Sequence, residues 1–209
     1  MLFLLNVRKI ILMTSAFLLL TTSLSAVFAN DLEPTLGDDG HYHFDWYHQS
    51  FLELSDDLND ALADDKVLMV MLVQKGCIYC DKVATEILTE PVINKYVREN
   101  FLLVQLDIFG SRDVTDLDGT TLPENEMSAK WGVVFTPSIY FLPSETDKKN
   151  LPEAAAALMP GAFMKGTFYG MLKWIKTGAY LTEPRFQKYY NDTFEDIRAT
   201  MKSARVSVE

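Results

Sequence analysis

Cys77 and Cys80, the two cysteines of this chain, stand in the run QKGCIYC, directly after the apolar run KVLMVMLV. That places a Cys-x-x-Cys pair where a buried strand turns into a helix. A thiolate in the first turn of a helix is favoured by the positive end of the macrodipole and by backbone N–H groups without an intrahelical partner. Cys77 is therefore the expected nucleophile, with a pKa below the unperturbed ~8.5, helped by Lys75. Cys80 returns to nearly the same helix face, one turn deeper, close enough to attack a mixed disulfide on Cys77. Such a pair exchanges two electrons with a partner disulfide. Half of a zinc site and a merely packed pair are the competing readings. A structural zinc site needs four ligands, and with no third cysteine only His41, His43 and His48, on a distant N-terminal segment, remain to complete it.

Export is the next inference. The first 29 of 209 residues carry Arg8 and Lys9, an apolar stretch from Ile10 to Leu20 and small residues up to Val27-Phe28-Ala29, the pattern of a secretory signal cleaved after Ala29. An uncleaved membrane anchor is the alternative, kept open by the apolar MLFLL ahead of the charges. Removing the segment takes away Arg8 and Lys9 and no acidic residue, so the formal net charge goes from −10 to −12. So acidic a surface argues against nucleic acid as a partner. With 48% hydrophobic and 12% aromatic residues the chain can bury one good core, and one domain is the default. A secreted protein stabilised by disulfides spreads them over distant segments, whereas this adjacent pair closes a small loop of little structural value.

The elements that must position the cysteines follow from periodicity. Residues 30–43, broken by Pro34, Gly37 and Gly40, read as a mobile leader with His41 and His43 exposed. From Phe44 to Asp65 apolar residues recur at helical spacing over a solvated acidic face. Val67 to Val73 reads as a central strand covered on both faces. After the cysteine helix, Thr89-Glu90-Pro91 restarts a helix, and residues 101–108 form a second strand. Asp118-Gly119 signals a two-residue hairpin turn, and Thr121 with Glu124 a capping box for a short helix ending near Trp131-Gly132. VVFTPSIYFL supplies a third strand, and since proline cannot sit inside a central strand, Pro137 should mark its start. Residues 145–150 read as a turn, the segment around 151–159 as an edge strand. Phe168 to Ile175 outlines a helix, and a last one opens at Thr182-Glu183-Pro184. There is no internal repeat and no phosphate-binding glycine loop, and neither a metal nor a cofactor is expected.

This order, with Cys77-Ile78-Tyr79-Cys80 and Thr136-Pro137, resembles the thioredoxin superfamily over residues 44–180. The resemblance implies an α/β thioredoxin fold, a central mixed β-sheet flanked by helices, here with a hairpin insert and a C-terminal helical extension at 181–209. It implies a cis peptide before Pro137, held against the cysteines, and a Thr136-Pro137 backbone that pairs with a bound substrate segment. The stretch GCIYC…VQLDIFGSRDVTDLDGTTL…KWGVVFTPSIYFL is similar to the exported thioredoxins of bacterial sulfur-oxidation systems, commonly called SoxW. Those imply a periplasmic reductase of protein disulfides, recharged by a membrane electron donor of the CcdA/DsbD type. Tyr79, beside the cysteines, should shape the contact surface. The absence of histidine between the cysteines favours a reductase; an oxidase or isomerase, or a non-catalytic binding module on the same fold, are the alternatives. Against ordinary thioredoxins, Lys75-Gly76 replaces a Trp-Cys context and Ile78-Tyr79 replaces Gly-Pro. Met71 stands where a buried acid is expected, and Gln105 where its lysine partner maps. Another group or a water must then take the proton from Cys80.

Overall fold

The structure is a computed structural model and describes residues 32–144 and 149–206. Its centre is β3 (Val67–Val73), in which no residue is polar and every residue is buried. A strand of that composition belongs between two covered faces, and β3 lies inside a four-stranded mixed sheet. It pairs in parallel with β4 (Phe101–Asp107) and antiparallel with β7 (Ser138–Leu142). β8 (Ala157–Pro160) runs antiparallel to β7 at the edge. Strand alternation splits the core in two. Val67, Met69, Met71 and Val73 face a cluster that holds both cysteines, and Leu68, Val70 and Leu72 face the opposite one.

The first face is covered by the cysteine helix α2 (Ile78–Lys82), α3 (Pro91–Asn100), α6 (Lys165–Lys176) and α7 (Phe186–Val206). Leu54, Leu58 and Ala61 of α1 (Leu54–Ala63) cover the second, with Met127 of α4 (Glu124–Lys130) and Leu151 of the one-turn α5 (Leu151–Ala154). This is a thioredoxin-like fold: a mixed central sheet between helical layers. Pro91 starts α3 and Pro137 immediately precedes β7, as the sequence leads one to expect, and the Thr136–Pro137 bond is cis, as the resemblance implies. α7 sits tightly on α6 because Gly170 leaves room: a Cβ there would come within 2.7 Å of the Tyr190 ring.

Several elements differ from expectation. The helix expected from Phe44 begins only at Leu54. Phe44 and Tyr47 are buried beside the cysteine face while Leu52, at φ +63, turns the chain, so the apolar residues of 44–53 serve different packing partners and share no helical stripe. The acidic face of α1 is not wholly solvated either: Asp57 is buried, accepts from Ser50 Oγ at 2.7 Å and lies 3.3 Å from His48 Nε2. The leader expected to be mobile forms a hairpin from β1 (Thr35–Leu36) and β2 (Tyr42–His43). His41, expected exposed, is 6% exposed. The hairpin of β5 (Asp113–Thr115) and β6 (Thr121–Pro123) exists, but its loop spans residues 116–120. Asp116 is drawn inward, where its carboxylate accepts from Leu117 N, Leu151 N, Lys130 Nζ and Trp131 Nε1. The capping box does not form, since Glu124 turns to accept from Asp107 N at 3.0 Å and from Arg112. α7 begins at Phe186, four residues later than Thr182. The signal segment lies outside the described residues. Among the described residues no helix is long and apolar enough to cross a membrane.

Candidate functional site

β3 delivers the chain through Gln74, Lys75 and Gly76, at φ +73, into Cys77, which is the N-cap of α2. Its sulfur accepts the Cys80 N–H at 3.0 Å, so the first cysteine itself caps the helix. After Lys82 the helix widens into a π turn over Val83–Ile87, closed by Leu88 N to Val83 O at 2.9 Å. That turn keeps Val83, Ala84, Ile87 and Leu88 against the sheet and so pins the helix whose first turn carries the cysteines. π turns recur at functional sites for this kind of local re-phasing.

Cys77 and Cys80 are joined as a disulfide, with Cα atoms 5.2 Å apart. Cys80 was expected deeper than Cys77; the two are buried alike, at 7% and 8% exposed. Thr136, distant in sequence, is brought to them by the start of β7. Its hydroxyl donates to Cys77 Sγ at 3.2 Å. The Thr136–Pro137 peptide is cis, and Pro137 is buried beside it. Cys77, Cys80, Thr136 and Pro137 thus meet in one place. Around them the surface is apolar: Ile78, Tyr79, Val134 and Phe135 are all more than half exposed.

Met71 and Gln105 are lateral neighbours in the β3–β4 register, so the positions where a buried acid and a lysine were expected do adjoin, with neither charge present. Gln105 Oε1 is buried without a hydrogen-bond partner among the described residues. The polar groups that motif reading did not find lie beside it. His41 Nε2 is 3.0 Å from Asp107 Oδ2, and Asp107 sits next to Val73 at the end of β3. A lone histidine in a polar leader carries no periodic signal, and the pairing spans 66 residues. Burial also raises the Tyr47 phenol, whose hydroxyl has no partner among the described residues. Among the described residues no group of histidines, cysteines and carboxylates is placed to hold a metal ion. The three histidines are held by carboxylates instead.

Three solved structures are similar to this chain at low identity. A thioredoxin-fold protein from Helicobacter pylori has 17% identity and a TM-score of 0.49, covering 68% of this chain and 86% of that one. A thioredoxin from Thermus thermophilus has 18% identity and a TM-score of 0.44, over 59% and 83% of the two chains. A DsbH oxidoreductase has 16% identity and a TM-score of 0.40, over 60% and 82%. Among curated proteins no sequence matches significantly. The family model described as a thioredoxin-like domain matches residues 54–151, the span from the start of α1 through the cysteine helix and β7 to the start of α5.

Proposed function

We propose that this protein is an exported thiol:disulfide oxidoreductase that reduces protein disulfides. The observation that carries the reading is Cys77 at the helix N-cap, its sulfur receiving both the Cys80 N–H and the Thr136 hydroxyl. Two donors aimed at one sulfur favour a thiolate there once the disulfide is opened. The reduced Cys77 thiolate attacks a substrate disulfide, one substrate sulfur leaves as a thiolate, and a mixed disulfide forms on Cys77. Cys80 then attacks Cys77 Sγ, releases the second substrate sulfur and restores the bond seen in the structure. The substrate gains two electrons and the protein must be recharged by a dithiol donor. For an exported protein that donor is a membrane carrier of the CcdA/DsbD type.

The surface supports a polypeptide substrate. An extended segment laid along Thr136-Pro137 would have its disulfide beside Cys77 and its apolar side chains on Ile78, Tyr79, Val134 and Phe135. The narrower likeness to the exported SoxW-like thioredoxins rests on the 109–122 insert, and export and the periplasm on the N-terminal segment. The reducing direction rests on the absence of a charge-stabilising histidine between the cysteines.

Two measurements test this. Turbidity caused by reduction of an insulin-type disulfide substrate should require Cys77, so Cys77→Ala should abolish it, and activity surviving in that variant would refute the assignment. The equilibrium potential against glutathione should lie near ~−270 mV, whereas a value near ~−120 mV would make the protein an oxidant.

A further inference from the structure

Release of the substrate requires that Cys80 lose a proton, and neither Met71 nor Gln105 can take it. Two residues along β4 from Gln105, on the same face by strand alternation, Asp107 holds His41, the one buried histidine among the described residues. The neighbours of His41 fix its place. Gly40, at φ +84, lies against Lys75, two residues before Cys77, so closely that a Cβ there would come within 2.9 Å of the lysine methylenes. On the other side the Tyr42 carbonyl accepts from Gln105 Nε2 at 3.4 Å, and β2 packs on the π turn that follows Cys80. The hairpin therefore flanks the cysteine helix from its approach loop to its second turn. A polar cavity of about 140 Å3 lies between the hairpin and β4, lined by His41, Tyr47, Gln105 and Asp107 together with Val73 at the end of β3, and by neither cysteine. Gln105 Oε1 and the Tyr47 hydroxyl are both buried and unpartnered among the described residues. A cavity of that size and polarity takes ordered water.

We propose that His41, held by Asp107, receives the Cys80 proton during the resolving step through water bound by Gln105 and Tyr47. The inference rests on the exchange reaction proposed above. With Nε2 donating to Asp107, Nδ1 keeps the lone pair that accepts the proton. Cys80 sulfur then bonds to Cys77 Sγ, the bond between Cys77 and the substrate breaks, and the substrate sulfur leaves as a thiolate with the electron pair. His41 ends as an imidazolium next to the Asp107 carboxylate and returns its proton to solvent. The titratable and charged groups around it are Asp39 and His43 on its own hairpin, Lys75 from the approach loop, and Tyr47, His48 and Arg112 across the cavity. Glu124 backs Asp107 through the Asp107 N–H.

The test is stopped-flow reaction of the reduced protein with Ellman's reagent. The first thionitrobenzoate released reports attack by Cys77, and the second reports resolution by Cys80. His41→Gln and Asp107→Asn should leave the first release unchanged and slow the second about ten-fold near pH 7. They should converge with wild type above the unperturbed cysteine pKa of ~8.5, where a thiol needs no base. Tyr47→Phe, which removes only a hydroxyl, should slow the second release in the same pH-dependent way. A second release that follows the wild-type pH profile in all three variants, or a loss of equal size at both pH values, overturns the proposal, the latter indicating a structural role. Absence of a second release from wild type itself would instead refute the exchange reaction.

Discussion

Thr136 Oγ1 and Cys80 N converge on the sulfur of Cys77, while among the described residues no side chain hydrogen-bonds to the sulfur of Cys80. That asymmetry is the basis on which Cys77 is proposed as the attacking and Cys80 as the resolving sulfur. Cys80→Ser should therefore accumulate covalent adducts with disulfide-bearing proteins, releasable by dithiothreitol and visible on non-reducing gels. Equal adduct formation by Cys77→Ser would show the order reversed. A second residue-scale prediction concerns stability. Asp116 is fully buried, and its carboxylate satisfies Trp131 Nε1 at 2.8 Å and Leu151 N at 2.9 Å. Asp116→Ala leaves both donors buried and unpaired, and should lower unfolding stability in urea by about 3–5 kcal/mol. A loss under ~1 kcal/mol would mean that water replaces the carboxylate.

At the scale of elements, the hairpin insert is tied down by charge as well as by its strands. Lys130 Nζ on α4 binds Asp118 Oδ2 at 2.8 Å and Asp116 Oδ2 at 3.0 Å. The Lys130 hydrogen bond, with support from the Thr120 backbone, lowers the Asp118 carboxyl from 3.8 to about 2. A carboxyl depressed in the folded state contributes stability above its unfolded pKa and loses it as pH falls through the folded value. The insert should thus weaken as pH drops from about 4 to about 2, and Asp118→Asn should remove that part of the acid sensitivity in a pH series of thermal melts. An unchanged acid limb would show that the ion pair is screened at this partly exposed site. Asp57 works in the opposite sense, because burial raises its carboxyl. Its contribution is present below the unfolded pKa and lost as pH rises through the folded one, so it cannot imitate the effect of Asp118.

The whole molecule adds a layer beyond the matched span. α7 lies on α6 and α3, burying Ile197 and Met201 in the cysteine-side core. Trp174 Nε1 on α6 donates to the Glu183 carbonyl at 2.9 Å in the linker between them. Truncation before Thr182 would uncover that face of α6 while leaving β3, α2 and the start of β7 in contact. The shortened protein should melt at lower temperature and bind ANS, yet release both thionitrobenzoate equivalents as the intact one does. Loss of the second release alone would reveal that α7 also orders the cysteine helix.

Cys-x-x-Cys after an unbroken apolar strand, proline after threonine before another strand, and Pro91 opening a helix are local patterns. Their physical causes act within a few residues, through dipole, covalent ring and alternation. They were sufficient for these elements, whereas the fold and the meeting of Cys77 with Thr136-Pro137 were expected only from the resemblance that these residues carry. The sequence also showed what was missing, since Met71 and Gln105 are legible as apolar and neutral wherever they fold. What would replace the missing acid was not legible. His41 reaches Asp107 only because a hairpin in an unpatterned leader folds back onto β4. Glu124 gave an ordinary cap signal and Asp116 gave none, and both are recruited as buried acceptors by partners many residues away. Such groups are chosen by the demand that buried donors be paired, and that demand exists only once the chain is packed.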